Sequence, residues 1–180
     1  MDSRDPSRQV LKLVNLARAT YGASQLESLS GGQTQSAPFC PIGRSLRRGV
    51  EAWLFVTVGS KHLRLWTVGQ DSVAIAKRIM TAWEIPHEQL RQSLDRPGVV
   101  MLPLPAELRE FINRFDRGLL AAHQGHVDQQ EIQNLRELAS GMPMPTRQRN
   151  KSAAEASRDS AKTQRMPLAS PAVMAAREAT

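Results

Sequence analysis

The chain has 180 residues, 41% of them hydrophobic but only 4% aromatic, so a single domain would build its core from aliphatic side chains. The formal net charge of +7 favours an anionic partner, such as nucleic acid. The lone cysteine excludes an intrachain disulfide and a cysteine-based zinc site, while the polar N-terminus and the lack of a long apolar run predict a cytoplasmic protein without a membrane span.

The N-terminal segment predicts a helix followed by a long loop. Asp5 and Pro6 are typical of a helix start, because the carboxylate accepts hydrogen bonds from free amides and proline suits the first helical position. Apolar residues at helical spacing extend this helix over residues 6–21. Residues 22–39 are rich in Ser, Gly and Gln, and they predict a flexible internal loop.

Residues 41–48 predict a short helix with positive charge on one side. On a helical wheel, Ile42 and Leu46 fall on one side, and three arginines fall on the other. These are Arg44, Arg47 and Arg48. Guanidinium groups hold phosphates through charge-assisted hydrogen bonds, so the triplet is a candidate anion-binding site, and the alternative is an ordinary solvated helix face.

A β-hairpin is predicted over residues 50–68. Residues 50–58 are almost continuously apolar, which is typical of a strand covered on both faces, and residues 62–68 alternate between apolar and polar. The short glycine-containing turn between them makes the two strands antiparallel. After a Pro-Gly turn, residues 99–102 predict a short third strand.

Helices are predicted on both sides of that third strand. Asp71 should cap a helix whose apolar stripe ends at Trp83, and residues 87–94 are a candidate for a further short helix.

The C-terminal part of the body predicts two more helices. Residues 105–119 are the most regular amphipathic segment, with Leu119 ending the apolar stripe and with Glu110 and Arg114 spaced for an ion pair on the polar face. Residues 128–140 begin with an Asp and a Glu at the spacing of a capping box. The apolar stripe of that last helix is thin, so it should pack weakly or against a partner.

The chain divides into a folded body and a tail. Residues 1–141 predict a single α+β domain, whereas residues 142–180 lack apolar periodicity and predict a disordered tail. The tail is basic, with seven Lys and Arg against three Asp and Glu. Arg147, Arg149 and Lys151 are therefore candidate contacts for an anionic partner.

Cys40 precedes the predicted arginine-bearing helix. Free backbone amides and nearby arginines would favour its thiolate, which makes Cys40 a candidate catalytic residue, and the dipeptide Cys40-Pro41 resembles haem-regulatory motifs. The alternative is a small buried side chain, since cysteine is among the most buried residue types. The segment 40–47 superficially resembles the phosphate-binding loop of thiol phosphatases, but Leu46 stands where that loop has its arginine.

Other motifs for catalysis, metals or nucleotides are lacking in the sequence. Gly125 lies between His123 and His126 and disfavours a rigid pair of metal ligands. The glycine-rich segment 30–34 lacks the Gly-Lys-Ser/Thr ending of a phosphate-binding loop, and nothing singles out a pair of acidic residues for acid–base work. We therefore predict no metal site and no cofactor.

These patterns combine into one expectation for the fold and three for the function. The fold should be α+β, with a small antiparallel sheet, made of the hairpin and the short third strand, packed with three to five helices. The favoured function is a non-enzymatic binding or regulatory protein that contacts an anionic partner, with nucleic acid preferred. The alternatives are a protein–protein adaptor that uses residues 105–119 and 128–140, and a thiol-dependent enzyme centred on Cys40.

Overall fold

The computed structural model of the protein describes residues 6–142. Within them, five α-helices and a four-stranded antiparallel sheet form the α+β fold that the sequence predicts. The helices are α1 Pro6–Ala19, α2 Pro41–Arg47, α3 Ser72–Ala82, α4 Ala106–Asp116 and α5 Gln129–Ser140. The strands are β1 Leu54–Val58, β2 His62–Thr67, β3 Arg91–Gln92 and β4 Val100–Pro103.

The sheet has the strand order β1-β2-β4-β3 and is built around the predicted hairpin. Alternate residues of β1 and β2 are buried, which places one face of the sheet against the core. The other face of β1 is only half-buried and β1 is an edge strand, so the cover on both faces expected from its apolar sequence is not seen in the described part of the chain. The first strand begins at Leu54 rather than at residue 50, because the amides of Trp53 and Leu54 both donate to the carbonyl of Val50 in a turn. The predicted third strand is present as β4, paired with β2.

Residues 87–94 do not form the predicted short helix. A single 3-10 turn, His87–Gln89, is followed by β3, whose Arg91 and Gln92 pair with Met101 and Val100 of β4. The open edge of β4 gives these two residues partners for their backbone groups, and β4 lies outside the segment 87–94. The local pattern could not show it.

The core lies between the inner face of the sheet and helices α1 to α4. As predicted, Asp71 caps α3 by accepting hydrogen bonds from the amides of Val73 and Ala74, and Trp83 is buried at its end. Helix α4 buries four residues, Leu108, Phe111, Ile112 and Phe115. Leu119 was expected to continue this stripe but is 63% exposed, because α4 ends at Asp116 and Gly118, with φ of +75°, turns the chain away.

Helix α5 packs beside β1 and is the least buried helix of the part described. Its cap is as predicted: the Asp128 carboxylate accepts from the amide of Glu131 at 2.7 Å. Its stripe of Ile132, Leu135 and Leu138 is only half-buried, and α5 has no fully buried residue. Apolar burial therefore holds α5 less firmly than it holds α1 to α4.

The predicted loop 22–39 contains no helix, and side chains from α1 and α2 form hydrogen bonds with its backbone. A Cβ on Gly31 would lie 2.9 Å from the Cα of Gly125, so the two backbones approach as closely as glycine allows. Next to this contact, Gly32 forms an isolated parallel bridge with Gln124. The flexibility expected of this loop stays a prediction.

The boundary of the folded domain, predicted at residue 141, also stays a prediction. Met142, which the sequence assigns to the tail, is 7% exposed and therefore buried. The rest of the predicted tail, residues 143–180, lies outside the described residues. In the described range 6–142, no helix has both the length and the apolar character needed to cross a membrane.

Substitution of Phe111 tests whether the buried face of α4 is part of the core. It is 1% exposed and stacks on Phe115 with ring centroids 6.4 Å apart, so we expect Phe111→Ala to lower the free energy of unfolding by about 3–5 kcal/mol. Arg109 is exposed on the opposite side of α4, and Arg109→Ala should change stability by less than about 0.5 kcal/mol. Urea denaturation of both variants measures the difference, and equal small losses would mean that α4 does not pack as described.

Candidate functional site

Helix α2 is buried on most of its circumference, so its arginines do not share one solvated face. Pro41, Ile42, Gly43, Ser45, Leu46 and Arg47 are all buried. The seven residues lie between α1, β1 and the 22–39 loop, and only the direction toward α5 remains partly open. This enclosure determines which contacts each of the three arginine side chains makes.

The prediction that Arg47 lies on an exposed face is wrong. Its side chain is 3% exposed, and its Nη1 donates to the carbonyl of Val56 in β1 at 2.7 Å. Burial lowers the pKa of Arg47, and the nearby Glu131 carboxylate raises it by less. Arginine nevertheless keeps its proton in proteins, so this is a buried cation that needs a counter-charge.

Glu131 supplies that counter-charge from the first turn of α5. Its carboxylate accepts from Nε and Nη2 of Arg44 at 2.9 and 2.5 Å, which is the two-bond arrangement typical of arginine and carboxylate. The same carboxylate lies 3.5 Å from Nη2 of Arg47. Because Glu131 faces α2, it does not complete the capping box with the backbone of Asp128 that the sequence suggested.

Arg44 also forms hydrogen bonds with two loops, whereas the side chain of Arg48 is exposed to solvent. Nη1 of Arg44 donates to the carbonyl of Gly31, and at 3.3 Å to that of His126. Arg48 is exposed, and only its backbone is hydrogen-bonded: its amide donates to the carbonyl of Arg44, and its carbonyl accepts from Arg18. Of the predicted triplet, two members therefore hold the fold together and one presents its charge to solvent.

We call the space between α2 and α5 the arginine cleft. It has a volume of about 520 Å³. Three cations line it, Arg44, Arg47 and Arg48, together with three carboxylates, Glu51, Asp128 and Glu131, and neutral residues that include Ser30 and Asn134. Two of the carboxylates are engaged locally, since Glu51 accepts from the amide of Gly49 and Asp128 caps α5.

Arg18 is a structural residue that the sequence reading missed. It is 2% exposed, and it donates to the carbonyls of Ser45 and Arg48 at 2.6 and 2.9 Å. These carbonyls lie at the C-terminal end of α2, where the helix has no further amides to donate to them, so a cation is favoured there. Burial lowers the pKa of Arg18. Arg18 follows Val14 by four residues and so continues the buried side of α1, but nothing in the sequence indicated its contact with α2.

The thiol of Cys40 is enclosed by the core rather than exposed at a reactive site. Cys40 is 4% exposed, and burial raises its pKa to about 11, although the amides of Ile42 and Gly43 act in the opposite direction. The predicted position at the start of a helix is correct. The desolvation of a thiolate there outweighs the attraction of the helix end.

The two histidines of the 121–128 region have separate environments. His123 accepts or donates a hydrogen bond with Ser7 at 2.9 Å and packs edge-on against Phe111, while His126 is exposed. Over residues 6–142, the structure holds no group of three or more His, Cys, Asp or Glu side chains arranged to bind a metal ion.

A second basic surface lies between the hairpin turn and the outer face of α4, and we call it the basic groove. Its volume is about 610 Å³, and its charged residues are Lys61, Arg109, Arg114, Arg117 and Glu110. The ion pair expected between Glu110 and Arg114 is not formed, and none of the four cations pairs with an acidic residue of the described range. The groove therefore carries an excess of positive charge.

Sequence reasoning overlooked the groove because its residues come from two separate segments. The arginines of α4 look like an ordinary solvated face, and Lys61 looks like part of a turn. Only the antiparallel return of β4 along β2, which places the start of α4 beside Lys61, brings them together. Arg147, Arg149 and Lys151, the predicted contacts in the tail, lie outside the described residues.

Comparison of the chain with protein-family models, with curated proteins and with solved structures gave no match.

The reactivity of Cys40 follows from its raised pKa. A buried neutral thiol is favoured in the folded state, so we expect iodoacetamide to modify Cys40 more slowly at neutral pH than it modifies the same thiol in the urea-unfolded chain. Mass spectrometry of a time course measures both rates. Faster modification in the folded protein, titrating below about pH 7, would indicate an activated thiolate instead.

Proposed function

We propose that this protein binds nucleic acid without acting as an enzyme, through contacts to the phosphate backbone. The observation that carries the proposal is the basic groove, in which four cations face one carboxylate and form no ion pair with the described residues. Such a surface attracts a polyanion and gains free energy from the release of its counterions. Contacts of this kind position a strand without reading its sequence.

The arginine cleft contributes less to backbone binding than its sequence suggested. Arg44 and Arg47 already pair with Glu131, so Arg48 is the member of the triplet that can contact a phosphodiester directly. Replacing all three arginines would remove structural contacts as well as charge. A test of nucleic-acid binding should therefore be directed at the basic groove.

The adaptor alternative has less support. The apolar face of α4, which an adaptor would offer to a partner, is used in the core, where Phe111 and Phe115 are at most 1% exposed. The apolar stripe of α5 is half-buried against its own domain. Burial of Cys40 argues against the thiol-dependent enzyme.

Salt-dependent binding tests the proposal. The full-length chain should bind duplex DNA weakly and without sequence preference, with log K falling steeply against log salt. Replacing Lys61, Arg109, Arg114 and Arg117 with Ala should lower the magnitude of that slope by up to about 3–4, because each phosphate contact contributes about 0.9. Filter binding across a salt series measures the slope.

The matched control removes four exposed cations that do not line the groove: Lys12, Lys77, Arg78 and Arg136. Both variants have the same net charge and keep the basic C-terminal segment, so only the position of the lost charge differs. We expect the control to keep most of the wild-type slope. A flat salt response in the wild type would exclude nucleic acid and favour the adaptor, and equal slopes for both variants would show that the groove has no special part in binding.

A further inference from the structure

The arginine cleft contains a buried hydrogen-bond donor without an acceptor. Nη2 of Arg47 is sealed from solvent and makes no hydrogen bond, although the Nη1 of the same group is well bonded to Val56. Its nearest counter-charge, the Glu131 carboxylate, is 3.5 Å away, which is too far for a good hydrogen bond. An unsatisfied charged donor in the interior is a destabilised arrangement that an added acceptor would relieve.

The Glu131 carboxylate lies beside the guanidinium groups of Arg44 and Arg47 but forms hydrogen bonds only with that of Arg44. Its two oxygens are both committed to Arg44. A carboxylate brings one negative charge to a site where three arginines converge. Because Nη2 of Arg47 is sealed, a second anion can reach it only if Glu131 moves away.

We propose that the arginine cleft binds a phosphate monoester in place of the Glu131 carboxylate. A monoester phosphate carries about 1.5–2 negative charges and three free oxygens near neutral pH, so it can accept from Arg44, Arg47 and Arg48 together. An internal phosphodiester resembles a carboxylate in having one charge and two free oxygens, and it gains nothing over Glu131. The site therefore selects terminal or free phosphates, and this selectivity is independent of the basic groove.

The carboxylates that remain in the cleft leave a positive balance. With Glu131 displaced, three arginines face Glu51 and Asp128, and both of these acids accept hydrogen bonds from backbone amides. His126 is exposed at the same cleft. The volume of about 520 Å³ holds a phosphate together with a nucleoside or a strand end.

Displacement of Glu131 has a consequence for α5. This helix has no fully buried residue, and its first turn is held to α2 through Glu131. A phosphate that takes over the arginines removes this attachment. Occupation of the cleft should therefore loosen α5, which makes the helix a ligand-sensitive element.

Isothermal titration calorimetry on the full-length chain tests the site with three probes. These are inorganic phosphate, a nucleoside 5′-monophosphate, and an oligonucleotide with and without a 5′-phosphate. Glu131→Gln removes the internal competitor and should raise phosphate affinity about tenfold or more, since a charge-assisted pair no longer has to be broken. Arg48→Ala changes an exposed side chain, so it should weaken binding while leaving the melting temperature almost unchanged.

Two further measurements separate this site from the basic groove and from a purely structural role for Glu131. The fourfold groove variant should bind inorganic phosphate as the wild type does, whatever its affinity for DNA. Saturating phosphate should increase hydrogen exchange of the α5 amides and leave α3 unaffected. A preference for the 5′-phosphorylated oligonucleotide would identify a strand end as the source, and binding of the small probes alone would identify a free metabolite.

The proposal is overturned if wild type, Glu131→Gln and Arg48→Ala are all folded and none binds inorganic phosphate or the nucleoside monophosphate. It is equally overturned if phosphate binding is lost in the groove variant but insensitive to Glu131→Gln and Arg48→Ala. If Glu131→Gln fails to fold, the comparison of wild type with Arg48→Ala decides the question, and equal affinities of those two would contradict the site.

Discussion

Burying the guanidinium of Arg47 between α2, β1 and α5 obliges the surrounding chain to supply acceptors and a counter-charge, because arginine does not lose its proton in proteins. The carbonyl of Val56 provides one acceptor, and Glu131 provides the charge. Arg44 shares the same carboxylate and reaches the carbonyl of Gly31. In this way one short helix joins the sheet, the 22–39 loop and α5.

Two groups of basic residues in the described domain contrast in their surroundings. Arg18, Arg44 and Arg47 are committed to carbonyls and to Glu131, so their charge is neutralised or used within the fold. The cations of the basic groove form no ion pair with the described residues, so their charge is available to attract a ligand. Net charge alone therefore overstates what is available for binding, and the arrangement of the pairs decides which surface attracts a polyanion.

Local patterns predicted the elements well, and they failed where a distant segment decides the outcome. The Asp71 cap, the hairpin and the buried stripe of α4 all follow from spacing within a few residues. The helical wheel placed Arg47 in solvent because it cannot show that β1 and α5, which come later in the chain, cover that side of α2. The same limit explains the basic groove, which joins a turn to a helix, and β3 likewise depends on pairing with a strand outside its own segment.

A double-mutant cycle between Arg47 and Glu131 tests the central claim most directly. Urea denaturation would give the free energies of unfolding of wild type, Arg47→Met, Glu131→Gln and the double variant. If Glu131 is the counter-charge of a buried cation, Glu131→Gln should cost at least about 1 kcal/mol more in the presence of Arg47 than in its absence, because only then is a buried charge left uncompensated. Additive losses, equal within about 0.5 kcal/mol, would contradict the account, since they would mean that α5 is held to α2 by other contacts.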